Sequence, residues 1–454
     1  MAHYAPHVRA STPSSVAALR RREALERFSF YGITSALVLY VNEHLLYSER
    51  DAKAHFHFFL AAAWLAPIAG AWLADRFLGR YRAILAVAWV YVAGLVVLAA
   101  FESRAGLAVG LALVAAGAGG LKPCVTGLVG DQLAAADAPA RARAYRWISL
   151  VVNGAAVLVP ALLVAFGPRV AFAVPAAALA LALVVLRSGR ARYVLPAPAG
   201  RNLHGFLRVV ARALSRLGTG HPGQHWLDLA RDAHPAEAVA GAKAVLRIGA
   251  VFAAVTLFWA LLEQKGSAWV FQARQMDLAL AGRQLSPAQL QALSPLLAVV
   301  LVPFLGAVVF PALARRGRVL SPLGKMSAGT FATVLSFAAA AIVQSIIDSG
   351  RAPHALWQLP QYLLLGAGDV LVSVTGLELS STHAPPAMRS TVSSIWFLTA
   401  SGGNLLTALV TRLVRLEGAA WFWFFAAVML AAALVFRAIA RGWRLAPTEA
   451  IVAE

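Results

Sequence analysis

The chain has 454 residues, of which 60% are hydrophobic and 13% charged, with a mean hydropathy of +0.70 and a formal net charge of +20 at pH 7. An ordinary soluble domain carries about 25% charged residues, so the composition excludes that class and indicates a polytopic membrane protein. The single cysteine, Cys124, rules out disulfides and cysteine-cluster metal sites within one chain.

Apolar stretches of roughly the 20-residue length that crosses a bilayer as helix recur along the chain, many interrupted by Gly or Pro, as membrane helices tolerate. They predict twelve spans, at 24–47, 54–75, 80–101, 106–130, 145–166, 169–187, 245–271, 287–313, 323–347, 355–381, 387–412 and 419–440. The first is too long for a cleavable signal peptide and holds two glutamates, so it is expected to stay in the mature protein.

The positive charge alternates by side. Arg20, Arg21 and Arg22 precede the first span, and Arg76, Arg80 and Arg82 follow the second. Arg141 and Arg143 follow the fourth, Arg315, Arg316, Arg318 and Lys325 the eighth, and Arg437, Arg441 and Arg444 the last. With twelve spans these share one face, and the positive-inside rule predicts that both termini are cytoplasmic. The basicity therefore implies topology and anionic lipid as neighbour, with no nucleic-acid partner.

Between 188 and 244 the hydrophobic density drops and arginines accumulate. This segment divides the chain into an N-terminal bundle (1–187), a linker (188–244) and a C-terminal bundle (245–454), each bundle with six spans. Within the linker, Leu203, Phe206, Leu207, Val210, Leu214 and Leu217 recur at helical intervals between arginines. That pattern fits an amphipathic helix on the inner leaflet, and equally a solvated tether. His204, His221, His225 and His234 lack metal-ligand spacing and are expected to be solvated.

Charged residues inside spans are expensive in hydrocarbon and mark candidate sites. Glu23, Glu26 and Arg27 lie within about one helical turn in the first span, and Lys122 precedes Pro123 in the fourth. A proton-driven carrier needs carboxylates whose charge can change during the cycle. Burial raises a carboxylate pKa and a nearby cation lowers it, so making and breaking an ion pair can load or release a proton. Lys122 is expected to bridge the glutamate pair when no substrate is bound; the alternative is an ion pair that only orients two helices.

The stretch Gly70-Ala-Trp-Leu-Ala-Asp75-Arg76-Phe-Leu-Gly79-Arg80-Tyr-Arg82 resembles the signature loop of the major facilitator superfamily, whose two halves rock around a site near the midplane. Other motifs narrow the resemblance. Glu23-Ala-Leu-Glu26-Arg27-Phe28-Ser29-Phe30-Tyr31-Gly32, Gly117-Ala-Gly119-Gly120-Leu-Lys122-Pro123 and Phe258-Trp259-Ala-Leu-Leu-Glu263-Gln264 are similar to motifs of the proton-coupled oligopeptide transporter family. So are Trp357-Gln358-Leu-Pro360-Gln361-Tyr362 and Ser373-Val-Thr375-Gly376-Leu377-Glu378 followed by Ala384-Pro385 and Met388; this last group is especially like the branch of animal peptide transporters.

The resemblance covers nearly the whole chain and implies an all-α major facilitator fold and uptake of di- and tripeptides with protons by a functional monomer, with no cofactor other than the coupling proton. It implies proton coupling by Glu23, Glu26, Arg27, Lys122 and His57, the last of which can change charge near neutral pH. It implies a substrate pocket drawn from Lys122, Tyr31, Asn153, Trp259, Glu263, Glu378 and Trp396, and conformational roles for Gly70, Asp75, Arg76, Gly79 and Arg80. Lys122 and Glu378 suit the carboxylate and ammonium of a peptide: two extended residues span roughly 7 Å, so with a contact of about 2.8 Å at each end the two charges should stand roughly 12 Å apart. Location is then a plasma or bacterial inner membrane.

Several positions depart from that family's pattern. Thr34 stands where an arginine is usual, Phe30, Trp64 and Ser149 where tyrosines are usual, Ser294 for an asparagine and Asp369 for a glutamate. The pocket should therefore be drier and smaller, and another small anionic or amphoteric solute, or a non-transporting sensor or scaffold, are the alternative readings. The glycines at 117–120 lack the Gly-Lys-Ser/Thr ending of a phosphate loop, and no catalytic serine, histidine and aspartate set is present, so no enzyme activity is expected.

Overall fold

The computed structural model describes residues 29–132, 166–195 and, apart from a few single or paired positions, 198–442. It is almost entirely helical. Helix α1 (29–39) ends in a π-helical turn, Tyr40–His44; α2 (Glu49–Leu73) runs through a second one, Ala74–Leu78, into α3 (Gly79–Ala100), and α4 (Arg104–Gln132) follows. After α5 (Pro168–Ser188) come the linker helix α6 (Phe206–Ser215), then α7 (Ala236–Ala253), α8 (Thr256–Leu262) and α9 (Ala268–Arg274), which together make the seventh span. The eighth span is α10 (Leu293–Phe304), a π turn and α11 (Phe310–Arg315), and the ninth is α12 (Pro322–Asp348). The tenth is α13 (Leu359–Asp369), a π turn at Val370–Val374 and α14 (Thr375–Thr382); α15 (Arg389–Leu413) and α16 (Gly418–Gly442) complete the chain. A small hairpin, β1 (Ala279–Leu280) with β2 (Arg283–Gln284), caps the far end of the seventh span.

Eleven of the twelve expected spans thus coincide with helix among the described residues; the fifth, 145–166, lies outside them. The continuous apolar stretch Glu49–Ala100, 52 residues long, would reach about 78 Å as one helix, more than twice the hydrocarbon thickness. It reverses at Gly79, whose φ of 73° and ψ of 158° a side-chain-bearing residue adopts only with strain. The reversal is visible in the packing on α4: α3 meets it antiparallel (Leu98 at Gly110, Tyr91 at Gly117, Val87 at Gly120), whereas α2 runs parallel to it (Ala66 at Gly119, Gly70 at Gly120). A Cβ on Gly70 would lie 2.4 Å from the Gly120 Cα, so the backbones touch where hydrocarbon gives helices no hydrophobic reason to associate and close packing must hold them.

Among the described residues, beside a small cluster of Met276, Val343 and Ile347, the buried side chains form two large cores. One is built from residues between Phe30 and Tyr193, joined by Val270, Phe271 and Ala288; the other from residues between Val209 and Phe436. The described helices long and apolar enough to cross a bilayer make this an integral multi-pass membrane protein. In the linker, α6 is shorter than the 203–217 pattern. Val209 and Ala213 pack inward against Leu227, Ala230 and Val239, while Leu207 and Leu214 stay exposed. Arg212 and Arg216 both pair with Asp232. Of the four linker histidines, His221 and His225 are exposed, but His234 is half-buried and its Nδ1 lies 3.0 Å from that of His204. Burial, helped by the nearby His204, holds the His234 pKa below its ordinary value.

Candidate functional site

His57 is in the third turn of α2, completely enclosed, and its ring crosses from one core to the other. Its Nδ1 lies 2.9 Å from Asn404 Oδ1 on α15 and its Nε2 2.8 Å from Ser267 Oγ. An amide oxygen only accepts, so Nδ1 carries the proton and Nε2 of the neutral ring accepts from the Ser267 hydroxyl. Ser267 reaches this place because the seventh span abandons α geometry. The span bends by 41° between α7 and α8, tightens into a 3₁₀ turn at Glu263–Gly266, and passes through Ser267 at φ −135°, ψ −85°. Gly266 is needed there, since a Cβ would lie 2.5 Å from the Phe56 ring.

Further along α2, away from its N-terminus, Trp64 forms a second bridge. Its ring lies 5.7 Å from that of Trp259 and 6.0 Å from that of Phe397, both in the other core. The Lys122 Nζ sits 3.6 Å above the Trp64 ring centroid and 4.5 Å from that of Phe30, a desolvated cation on two aromatic faces. Glu263 has Lys265, Lys122 and Asp369 as charged neighbours, and the Trp64 indole lies beside it, outside hydrogen-bonding geometry. Trp259 packs edge-on against Trp396, which in turn lies against Phe252 and Gly376. The π turn of the tenth span adds a residue to the helical register between Asp369, which accepts from Ser373, and the exposed Glu378.

From the end away from the linker to the middle of α2, polar contacts add to the apolar packing of Val270, Phe271 and Ala288 between the two cores. Arg274 pairs with Glu49, lies 3.7 Å from Glu43 and donates to Asn42 at 2.7 Å; Arg412 meets Asp51 at 3.2 Å; Ser401 donates to the Ala61 carbonyl at 2.8 Å. At the linker end, Arg80 pairs with Asp131, fastening the start of α3 to the end of α4, with Asp75 alongside.

Lys122, Trp259, Glu263 and Trp396 are therefore neighbours, directly or through Trp64, and Tyr31 stands beside Phe30, with ring centroids 6.1 Å apart. Glu378 lies on α14, two residues beyond Gly376, where Trp396 makes its contact. Gly70, Asp75, Arg76, Gly79 and Arg80 lie together where α2 turns into α3. Glu23, Glu26, Arg27 and Asn153 lie outside the described residues, and so does the expected bridge from Lys122 to the glutamates. The Thr34 hydroxyl is spent on its own helix, 3.1 Å from the Phe30 carbonyl and 3.3 Å from that of Tyr31, and offers no replacement for the missing guanidinium. His55 bonds the Asp51 carbonyl locally.

Sequence reasoning missed Ser267, Asn404 and Lys265, and gave Trp64 only as a lost hydroxyl and added bulk. The run Glu263-Gln-Lys265-Gly-Ser267 inside an apolar span was the available signal.

The sequence matches the family model described as the POT family over residues 81–423. The chain belongs to the POT family. It is 34% identical over 401 residues to solute carrier family 15 member 2 of Rattus norvegicus, an alignment covering 82% of this chain and 54% of the relative, and 33% identical to peptide transporter family 1 of Drosophila melanogaster, covering 72% and 47%. The chain thus spans about half the length of the curated relatives it matches. Among solved structures, an auto-inhibited POT family peptide transporter superposes with a TM-score of 0.88 at 34% identity, covering 96% of this chain and 98% of that one. This agreement across nearly both chains gives the POT family member the major facilitator fold of two six-helix bundles.

Proposed function

We propose that this POT family member is a proton-coupled symporter that takes up di- and tripeptides by alternating access, as a monomer, with both termini cytoplasmic in a plasma or bacterial inner membrane, and with the proton as its only cofactor. The observation that carries this reading is the pair of bridges between the two cores, His57 with Ser267 and Asn404, and Lys122 with Trp64 and Glu263. Both place a titratable side chain where opening one end of the molecule must break its contacts, so protonation and rearrangement are linked.

His57 is the proton-handling group of the first bridge: a second proton on Nε2 removes its capacity to accept from Ser267 and leaves both nitrogens as donors. Glu23, Glu26 and Arg27 complete the coupling set. Lys122 takes the substrate carboxylate and Glu378 the ammonium, with Tyr31, Asn153, Trp259, Glu263 and Trp396 around them. The bundles divide at the 188–244 linker, and Gly70, Asp75, Arg76, Gly79 and Arg80 govern the linker-side closure. Arg274, Arg412 and His57 tie the two cores at the far end, and these contacts must break for that end to open. Relatives named as peptide transporters support the substrate class; the absent guanidinium at Thr34 favours, as a second reading, a narrower zwitterionic or anionic solute.

Purified protein in proteoliposomes under an inward proton gradient is expected to accumulate a dipeptide above equilibrium, to lose that accumulation with a protonophore, and to resist competition by single amino acids and nitrate. Gradient-independent equilibration, or displacement by nitrate or amino acids, would overturn the assignment.

A further inference from the structure

Beside the signature turn, on the linker side of the molecule, lies a cavity of about 340 Å³ lined by Gly79, Arg80, Tyr81, Arg82, Arg190 and Leu195 among others. Three arginines, Arg80, Arg82 and Arg190, line it. Among the described residues, Asp131 pairs with Arg80, and Asp75 lies beside that pair. Among the described residues neither Arg82 nor Arg190 has a carboxylate partner; Arg190 instead lies 5.9 Å from the Tyr81 ring centroid. Tyr81 is itself only 6% exposed, and its hydroxyl makes no hydrogen bond among the described residues. A buried hydroxyl left unpaired costs free energy that an acceptor oxygen would recover. Two guanidiniums without a carboxylate partner and a hydroxyl without an acceptor, among the described residues, together are the recognition set for a phosphate-class anion.

The surroundings indicate the source of that anion. Trp72 and Phe77, both more than half exposed and 5.2 Å apart edge to face, stand on the adjoining turn, and Leu195 is exposed at the cavity rim. Exposed aromatic rings at the end of a span mark the depth of lipid headgroups, and basic pockets at the ends of spans hold anionic ones. We propose that this cavity binds the phosphodiester headgroup of an anionic phospholipid, held by Arg82, Arg190 and the Tyr81 hydroxyl. The site is separate from the space between the two cores, and its occupancy does not depend on the transport reading.

Native mass spectrometry of the full chain, delipidated and then titrated with phosphatidylglycerol or phosphatidylcholine, tests this. Preferential retention of phosphatidylglycerol is expected. The double variant Arg82→Gln/Arg190→Gln should bind it about thirtyfold more weakly, at roughly 1 kcal/mol per arginine. Arg82→Lys/Arg190→Lys should keep most of the affinity, and Arg187→Gln, on the same chain end but outside the cavity, should change nothing. Melting curves establish that each variant is folded. Equal retention of the two lipids, wild-type binding by the double glutamine variant, an equal loss in Arg187→Gln, or displacement of the lipid by millimolar inorganic phosphate would each overturn the proposal.

Discussion

Two buried polar clusters differ in what they join. Inside the second core, Gln272 donates to the Ala340 carbonyl at 2.9 Å and to Gln344 at 3.2 Å, while Gln358 and Gln361 donate to its own oxygen at 3.1 and 3.0 Å. These amides cannot titrate, and they link α9, α12 and α13 of a single bundle. His57 and Lys122 carry titratable groups: His57 bonds across the two cores, and Lys122, seated on Trp64 of its own core, faces Glu263 of the other. Both clusters hydrogen-bond side chains away from water, yet one can only hold a bundle together, whereas the other holds two bundles in an arrangement that a proton or a substrate can release. Burial of polar groups alone therefore does not mark the coupling machinery; titratability combined with position across the divide does.

Four substitutions and conditions would break or sharpen that contrast. Lys122→Gln removes the ammonium from the Trp64 and Phe30 faces and should lower dipeptide uptake efficiency by about a hundredfold, taking roughly 3 kcal/mol for a lost charge-assisted contact; initial rates over a concentration series measure it. Gln272→Leu should do the reverse. It removes the Gln272 acceptor of the buried Gln361 amide and one hydrogen bond each of Gln344 and Gln358, destabilising the protein by about 2–4 kcal/mol in thermal denaturation, with uptake per folded molecule retained.

Arg274→Gln loosens an exposed pairing worth about 0.2–1 kcal/mol. It should raise labelling of Ala61→Cys, in a Cys124→Ser background, by an externally added thiol reagent up to about fivefold. The smallest effect belongs to the linker. The His234 pKa lies below its unfolded value, so the opened state binds more protons, and the His204 contact is fully present above about pH 6.5 and lost as pH falls through the lower folded value. Amide hydrogen exchange across Phe206–Ser215, corrected for its intrinsic pH dependence, should accelerate at acid pH.

The spans were legible because hydrophobic length is a strong signal that the bilayer leaves few ways to satisfy, and helix ends fell within a few residues for the third, fourth, sixth, ninth and twelfth. The broken seventh span was read as continuous, since its 3₁₀ turn depends on Phe56 pressing against Gly266, a contact between residues more than two hundred apart. For the same reason Ser267 and Asn404 were not assigned to His57. Lys122 was legible as a costly charge, but its aromatic platform was not, because Trp64 lies on a different helix and its identity suggested only bulk. The amphipathic linker pattern showed that a helix forms and left open which of its apolar positions the protein covers: Val209 and Ala213 pack on Leu227, Ala230 and Val239, which no periodicity in the linker itself specifies.

The most direct test of a titratable link across the two cores is His57→Gln, whose amide can still bond Asn404 and Ser267 but cannot gain a proton. Measured in proteoliposomes, proton-driven dipeptide accumulation should disappear while substrate counterflow at equal pH stays within about threefold of wild type, a change of under 1 kcal/mol. Accumulation at the wild-type level would contradict the account and place His57 with the glutamines, as a structural contact alone.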